Sequence, residues 1–392
     1  MFKERRNDLM KYDHIIVGAG SMGSAAAYYL GKQGRRVLLI DAFTPPHDEG
    51  SHHGDTRLIR FAYGEGEKYV PFVLRAKALW DDIAARSGKK NFIQTGIINV
   101  GDKHDHFIQS VKNTSEIFKL PLHVMTAAEV MEKWPGIKIP SNFVALHETE
   151  SGVMLTKPAI EGYLQEAFKF DVTAKFNSPV QAIEVVNGRS VVTVVGGDKF
   201  ESDNVIVTVG AWAKQLLDDT GLTLPVQATR KTFAWFEAPE DLYSEGIYPG
   251  FTFQFGNESY YGFPSIDGGG LKVGRHDGGQ VIHPSDAKAP FGIVEGDLED
   301  LQQFLSGYMP SVGAFKEGKT CMYAMTPDED FIIDYHPVHP EILFAAGFSG
   351  HGFKFASAVG EALSEMAQNQ QTTIDLTPFR FKRFDVKQAL VF

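Results

Sequence analysis

In the first tenth of the chain, apolar and small residues follow one another in an ordered way. A short β-favouring run, His14 to Val17, meets Gly18-x-Gly20-x-x-Gly23; a small-residue helical stretch follows, stops at Gly34, and gives way to a second apolar run ending at Asp41. This order predicts a strand, a helix and a second strand, with the glycines at the first turn. Gly18 permits the tight turn, Gly20 lets backbone approach a pyrophosphate, and Gly23 lets helix pack on strand. The helix N-terminus offers N–H donors to phosphate, and Asp41 stands where an acid accepts ribose hydroxyls. The unit predicts a dinucleotide site and leaves FAD and NAD both open.

Beyond Asp41 the pattern changes. "AFTPPHDEGSHHGDTRLIRFAYGEGEKYVP" reads as a long loop rich in Gly, Pro and His, where a nicotinamide enzyme of this fold continues with another helix and parallel strand. "FIQTGIINVG" reads as a strand, "HDHFIQSVKNTSEIFK" as an amphipathic helix, and "ESGVMLTKPAIEGYLQEAFK" as another helix. Alternation in "VVTVVGGDKFESDNVIVTVGAW" predicts a β-meander that runs into Gly210, with a Gly-Asp hairpin turn. Residues 225–320, richer in aromatics and glycine, predict an antiparallel sheet with long turns. The expected class is α+β. A discontinuous Rossmann-like dinucleotide (FAD) domain takes residues 1–92, 152–224 and 322–392, and a substrate domain on a large antiparallel sheet takes 93–151 and 225–321.

Composition narrows the partners. With 392 residues the chain exceeds the size at which a single core keeps growing, which supports two domains. Its net charge of −11 and its lack of any basic run disfavour nucleic acid or a membrane surface, leaving a small molecule. "MFKERRNDLM" is charged, lacks the apolar stretch of a secretory signal, and reads as a frayed extension. With no window approaching a membrane helix and a lone cysteine, the expected location is a reducing cytosol.

Candidate chemistry concentrates on a few positions. Metal-ligand spacings are absent and "SHHGD" holds one histidine pair, so no metal site is expected. Arg57 and Arg60 in "DTRLIR", Lys272 in "GGGLKVGRH" and Lys354 in "GFSGHGFKFA" are flanked by glycine or apolar residues, the setting of a partly buried cation. Lys354 is expected in the first turn of a helix, where a cation opposes the dipole and a bound carboxylate would explain it. Arg60 and Lys354 come from opposite ends of the chain, with no acidic partner evident. Cys321 cannot form an internal disulfide and is either a small buried hydrophobe or a nucleophile.

The stretches "GAGSMGSAAAYYL", "PPHDEGSHHGDTRLIRFAYGEGEKYVP", "YYGFPS", "GLKVGRH", "CMY", "DEDFIID" and "GFSGHGFKFAS" are specific as a set. On them the chain, from about Lys11 to about Phe384, resembles the monomeric sarcosine oxidase and N-methyltryptophan oxidase family, flavoproteins that oxidise N-methyl amino acids. The resemblance implies one FAD per chain, joined through a thioether from Cys321 to the flavin 8-methyl carbon. It places His53, Thr56 and Arg57 against the flavin ring, Gly350 and Gly352 among the cofactor contacts, and Val180 at adenine. Lys272 resembles the lysine near flavin N5 that activates oxygen, and Arg60 and Lys354 the pair that holds the substrate carboxylate. Tyr261, His276 and Tyr323 resemble pocket residues. The implied reaction turns an N-methyl amino acid and O2 into amino acid, formaldehyde and hydrogen peroxide, in a monomer. "KTCMY" and "AAGFSGHGFKF" look closer to the sarcosine branch, "RKTFAWF", "GGQVIH" and "DLTPFR" to the N-methyltryptophan branch, so both substrates stay open. A nicotinamide-dependent dehydrogenase and a non-enzymatic flavin-binding protein are the alternatives to the oxidase.

Overall fold

The computed structural model describes residues 10–286 and 288–384, so the extension read from residues 1–10 lies, Met10 excepted, outside the described residues. Strand Met10–Val17 pairs in parallel with Val37–Ile40 on one side and Lys199–Val207 on the other. Val172–Lys175 and Ile342–Ala346 extend this parallel core outward. Both "VLLI" and "ILFAA" are buried throughout, as strands covered on two faces must be. Successive residues face opposite layers. Ile16, Leu39, Ile206 and Leu343 pack under helices Ser21–Lys32, Thr156–Ala167 and Ala356–Ala367, while Ile15, Leu38, Val205 and Ile342 join the other core. Lys199–Val207 carries two partners on one edge: the hairpin Val180–Val186 and Arg189–Val194 along its first half, and Ile342–Ala346 along its second.

A nine-stranded sheet forms the second layer and interleaves residues 97–148 with residues 227–325. Its pairs are antiparallel except one. Gly250–Phe255 runs parallel to Ile97–Asp102 where the two chain segments meet, so the expected antiparallel sheet is mixed at that junction. Alternation divides its faces. Ile98, Val100, Phe251, Phe253, Tyr260 and Val273 pack beneath helix Glu299–Tyr308, with Phe304 stacked on Tyr260 at 4.5 Å. Asn99, Thr252, Tyr261, Lys272, Lys231 and Cys321 occupy the alternate positions, on the face that carries the chemistry.

Two sequence readings change. "FIQTGIINVG" is not one strand: Gly96, at φ +69°, breaks it, sending Phe92–Ile93 into a three-stranded sheet with Thr56–Ile59 and Gly152–Leu155. "ESGVMLTKPAIEGYLQEAFK" begins as the strand Gly152–Leu155, and the helix starts only at Thr156. Pro158 fixes that start, because proline is tolerated in a first turn but not deeper. The boundaries expected at 92/93 and 321/322 fall inside the strands Phe92–Ile93 and Phe315–Met325. No helix among the described residues is long and apolar enough to cross a membrane.

Gly23 is the tightest point of the first unit. A Cβ there would overlap the carbonyl oxygen of Gly18 and come within 2.7 Å of Thr208 Oγ1. The obstacle is backbone, so it cannot rotate away. Gly23→Ala is expected to lose about 1–3 kcal/mol of stability and to bind less of the dinucleotide expected at this turn, because overpacking displaces the glycine turn. Urea denaturation and bound-dinucleotide content check this; wild-type values for both would refute it.

Candidate active site

The glycine turn opens a cavity of about 590 Å³ that runs along the carboxyl ends of the parallel strands. Gly18, at φ +99°, accepts the Thr208 hydroxyl at its carbonyl oxygen (2.8 Å), which fixes the turn. Asp41 accepts the amide N–H of Ala19 at 2.6 Å and that of Phe43 at 2.9 Å. Burial opposes its charge, but His47 and these amides hold the carboxyl below its usual range. Gly18, Gly20, Asp41, Val180, Gly350 and Gly352 line the cavity, whereas Gly23 lies behind it, packed against the Gly18 carbonyl. His52 also lines it, buried and, among the described residues, with no partner for Nε2. Its Nδ1 edge lies toward Gly20, and the orphaned Nε2 fits a polar ligand such as a dinucleotide.

The loop after Asp41 carries Arg57 into the wall between this cavity and a second one. Its guanidinium donates to the carbonyls of Thr56 (2.6 Å), Ser51 (2.7 Å) and His53 (2.6 Å), so loop backbone sets its position. Arg57, Tyr323, Gly350 and Phe353 line both cavities. His53 lines neither. Its Nδ1 bonds Asp48 at 2.8 Å and its ring meets Phe233 edge-on, while the adjacent His52 faces the cleft. Thr56 is likewise set back, its hydroxyl accepting from Lys272 Nζ at 3.2 Å. Lys272 also donates to the carbonyl of Gly54, which with Asp55 has positive φ. Three rings surround its ammonium, Phe233 at 4.4 Å, Phe263 at 4.8 Å and Trp235 at 5.1 Å. Burial, with the Arg57 charge adding to it, pulls this lysine well below the usual range.

Cys321 is buried in the wall of the second cavity, of about 80 Å³. Burial pushes its thiol up, and the charges of Arg57, Lys272 and Lys231 oppose that shift in favour of thiolate. Arg60, Lys354, Tyr261 and His276 share this cavity. Tyr323 hydroxyl lies 3.5 Å from His276 Nδ1. Burial holds His276 at about 4 and Tyr261 at about 12, so both are neutral near pH 7.

Tyr63 lies between Arg60 and Lys354. The Arg60 guanidinium stands 5.2 Å from its ring centre and 5.3 Å from that of Phe107. Lys354 Nζ stands 5.0 Å from the same Tyr63 ring and donates to its hydroxyl at 3.0 Å and to His351 O at 2.9 Å. Arg60 has an acidic partner after all: Glu65, whose side chain is 27% exposed, accepts from it at 2.6 Å. Gly64 lies against the Phe107 ring, where a Cβ would clash, and Gly66, at φ +130°, turns the chain just after Glu65. Burial works against the Glu65 carboxylate, yet Arg60, with His351 and Lys354 behind it, holds it at about 2. Among the described residues Arg60 Nε is buried without an acceptor. Lys354 lies in the 3₁₀ turn Phe353–Phe355, just before the helix Ala356–Ala367 rather than in its first turn. Tyr63, Glu65 and His351 stand in motifs the sequence displays, but only their Gly-flanked setting hinted at them.

A glycine-turn cleft joined to a second, cation-lined cavity defines a dinucleotide-dependent oxidoreductase. The model of the family described as FAD dependent oxidoreductase matches residues 13–366. N-methyl-L-tryptophan oxidase of Shigella flexneri serotype 5b (strain 8401) is 44% identical over 377 residues, covering 96% of this chain and 100% of that protein. The enzyme of the same name from Escherichia coli (strain SE11) matches equally, at 44% over 377 residues. The chain belongs to the FAD dependent oxidoreductase family. Among solved structures, NikD, an amino acid oxidase of nikkomycin biosynthesis, superposes with a TM-score of 0.83 at 18% identity, covering 95% of this chain and 97% of that one. Glycine oxidase from Geobacillus kaustophilus superposes with a TM-score of 0.80 at 19% identity, covering 96% and 100%. At that identity both establish the fold alone.

Burial, and then the Arg60 charge, lower Lys354 to about 7. The ammonium form is the one that holds an anion. Binding of a simple carboxylate that cannot be oxidised is therefore expected to be full below pH 7 and to weaken by about tenfold per pH unit above it. Spectral titration of the flavin between pH 6 and 9 measures this. The same slope in Lys354→Met would assign it to another group.

Proposed function

We propose that this chain is an N-methyl amino acid oxidase whose substrate carboxylate is held between Arg60 and Lys354. One observation carries the reading: cations from opposite ends of the chain meet at Tyr63 in a cavity that shares wall residues with the dinucleotide cleft, and Arg60 Nε lacks an acceptor among the described residues. Arginine supplies directed N–H bonds and lysine a point charge. The cleft fits FAD through its glycine turn, the Asp41 carboxylate and the unpartnered His52. When bound, FAD supplies the two-electron acceptor that oxidises the N-methyl group and returns the electrons to O2 as hydrogen peroxide. Cys321 is the residue assigned to its covalent anchorage. Lys272, caged by rings, provides positive charge where oxygen is reduced. Tyr323, His276 and Tyr261 are neutral groups that shape the pocket, so the amine has to bind deprotonated. The presence of two separate sheets supports a division into a dinucleotide-binding and a substrate-binding domain.

The cavity volume of about 80 Å³ favours a sarcosine-sized acid, whereas relatives bearing the name N-methyl-L-tryptophan oxidase favour the larger substrate. Peroxide release from sarcosine and from N-methyl-L-tryptophan, each beside its amide, tests the class. The acids are expected to react far better. Loss of either Arg60 or Lys354 removes about 2–4 kcal/mol of binding, because the remaining cation and the carboxylate are imperfectly paired. Equal turnover of acid and amide would refute the clamp.

Anchorage has its own test. Cys321→Ser is expected to fold and to bind FAD, but to release all of its flavin on acid precipitation, while wild type stays yellow. Flavin retained by the precipitated variant would overturn the assignment of Cys321.

A further inference from the structure

Lys231 is a buried cation that neither the glycine unit nor the carboxylate clamp uses. It lies in strand Gln227–Phe236 directly opposite Cys321 of strand Phe315–Met325. Opposed residues of an antiparallel pair share a face, and Tyr323, two residues beyond Cys321, shares it too. The Lys231 ammonium donates to His276 O at 2.6 Å and to Gly278 O, and stands 5.1 Å from the Tyr323 ring centre. Its chain neighbour Arg230 shows the contrasting arrangement, gripped by both oxygens of Asp297 at 2.8 and 2.7 Å. Arg230 reads as structural. Lys231 instead ties together the two elements that carry His276 and Tyr323, whose side chains meet at 3.5 Å.

We propose that Lys231 is a positioning residue of the pocket: by bonding the carbonyls of His276 and Gly278 while lying on the Tyr323 ring, it holds the Tyr323–His276 pair in the orientation that faces the substrate. This rests on the pocket assignment above. The pair needs a neutral imidazole, since only then can a ring nitrogen accept from the tyrosine hydroxyl. Burial is the main cause of the low His276 value, and the Lys231 charge comes next, aided by Arg60 and Lys354 and opposed by Glu65. Lys231 itself is lowered by burial to about 8, with Asp277, Cys321 and Glu329 opposing the shift and Arg275 adding to it. Its ammonium therefore acts on His276 twice, through the main-chain bond and through its charge.

The test compares holoenzymes of wild type, Lys231→Met and Lys231→Arg. The His276 titration is read by NMR on ring-labelled histidine, with His276→Asn giving the assignment. Lys231→Met is expected to move that titration upward by about one pH unit. It should also raise KM for the better of sarcosine and N-methyl-L-tryptophan by about tenfold, with a smaller change in kcat. Lys231→Arg keeps the charge and the donors and should restore the titration. An unmoved His276 in Lys231→Met, or a shift just as large in Lys231→Arg, overturns the proposal. If Lys231→Met does not fold, Lys231→Gln, which keeps a donor without the charge, carries the same comparison. Should wild type oxidise neither substrate, the functional reading fails on its own, and the titration still decides whether Lys231 controls His276.

Discussion

Burying positive charge is the constraint around which this site is built. Lys272 is 2% exposed, Lys231 4%, Lys354 5% and Arg60 6%. Taking such a group out of water costs several kcal/mol unless it is paired and hydrogen-bonded. Among the described residues only Arg60 of these four has a carboxylate within bonding distance, and that carboxylate is partly exposed. The other three lean on neutral groups: Lys272 on three rings and the Gly54 carbonyl, Lys231 on two carbonyls and a ring, Lys354 on a phenol and a carbonyl. Ring faces and peptide oxygens attract a cation without neutralising it. While these lysines stay protonated, the positive potential survives in the cavity, which is what an anionic ligand requires.

Sheet alternation puts these groups in one place. Along Leu271–Arg275, Leu271 and Val273 go to the apolar core, and Lys272 between them goes to the opposite face; Tyr260 and Tyr261 divide the same way. The apolar half of each strand anchors it under helix Glu299–Tyr308, so the polar half cannot move without disturbing a packed core. The dinucleotide layer approaches this face through the Arg57 loop, tied down where the Ser51 hydroxyl donates to Met322 O at 2.8 Å, one residue from Cys321.

What was legible in the sequence was mostly what is local. The glycine unit could be read because strand, turn and helix lie within about thirty residues and each glycine has a steric reason. The Gly-flanked cations announced themselves, and the family resemblance supplied their roles. The Arg60–Glu65 pair was not readable, since it depends on the path of an irregular segment that has no period. His52 and His53 could not be told apart: an irregular loop has no period from which to infer which ring faces the cleft. Lys231 stayed hidden for the opposite reason. Its partners lie 45 residues away in sequence or across a strand pair, and a lysine in "RKTFAWF" looks like an ordinary strand residue.

The hydrogen-bond direction around Tyr63 explains why a carboxylate suits the cavity. His351 Nε2 faces the carbonyl of Glu329 at 3.0 Å, which only an N–H can satisfy, so Nδ1 is left to accept from the Tyr63 hydroxyl at 2.8 Å. The phenol's single hydrogen is thus committed away from the cavity, and its lone pairs meet Lys354 at 3.0 Å. An ammonium has three donors. Lys354 uses one on Tyr63 and one on His351 O, which leaves one over. Arg60 reaches Glu65 through one terminal nitrogen and Asn99, at a marginal 3.5 Å, through the other, while Nε reaches nothing. Each cation therefore keeps donor capacity in reserve beside the same ring. Two oxygens on one ligand, each able to accept more than one hydrogen bond, match that reserve, whereas an amide would turn one acceptor into a donor facing positive charge.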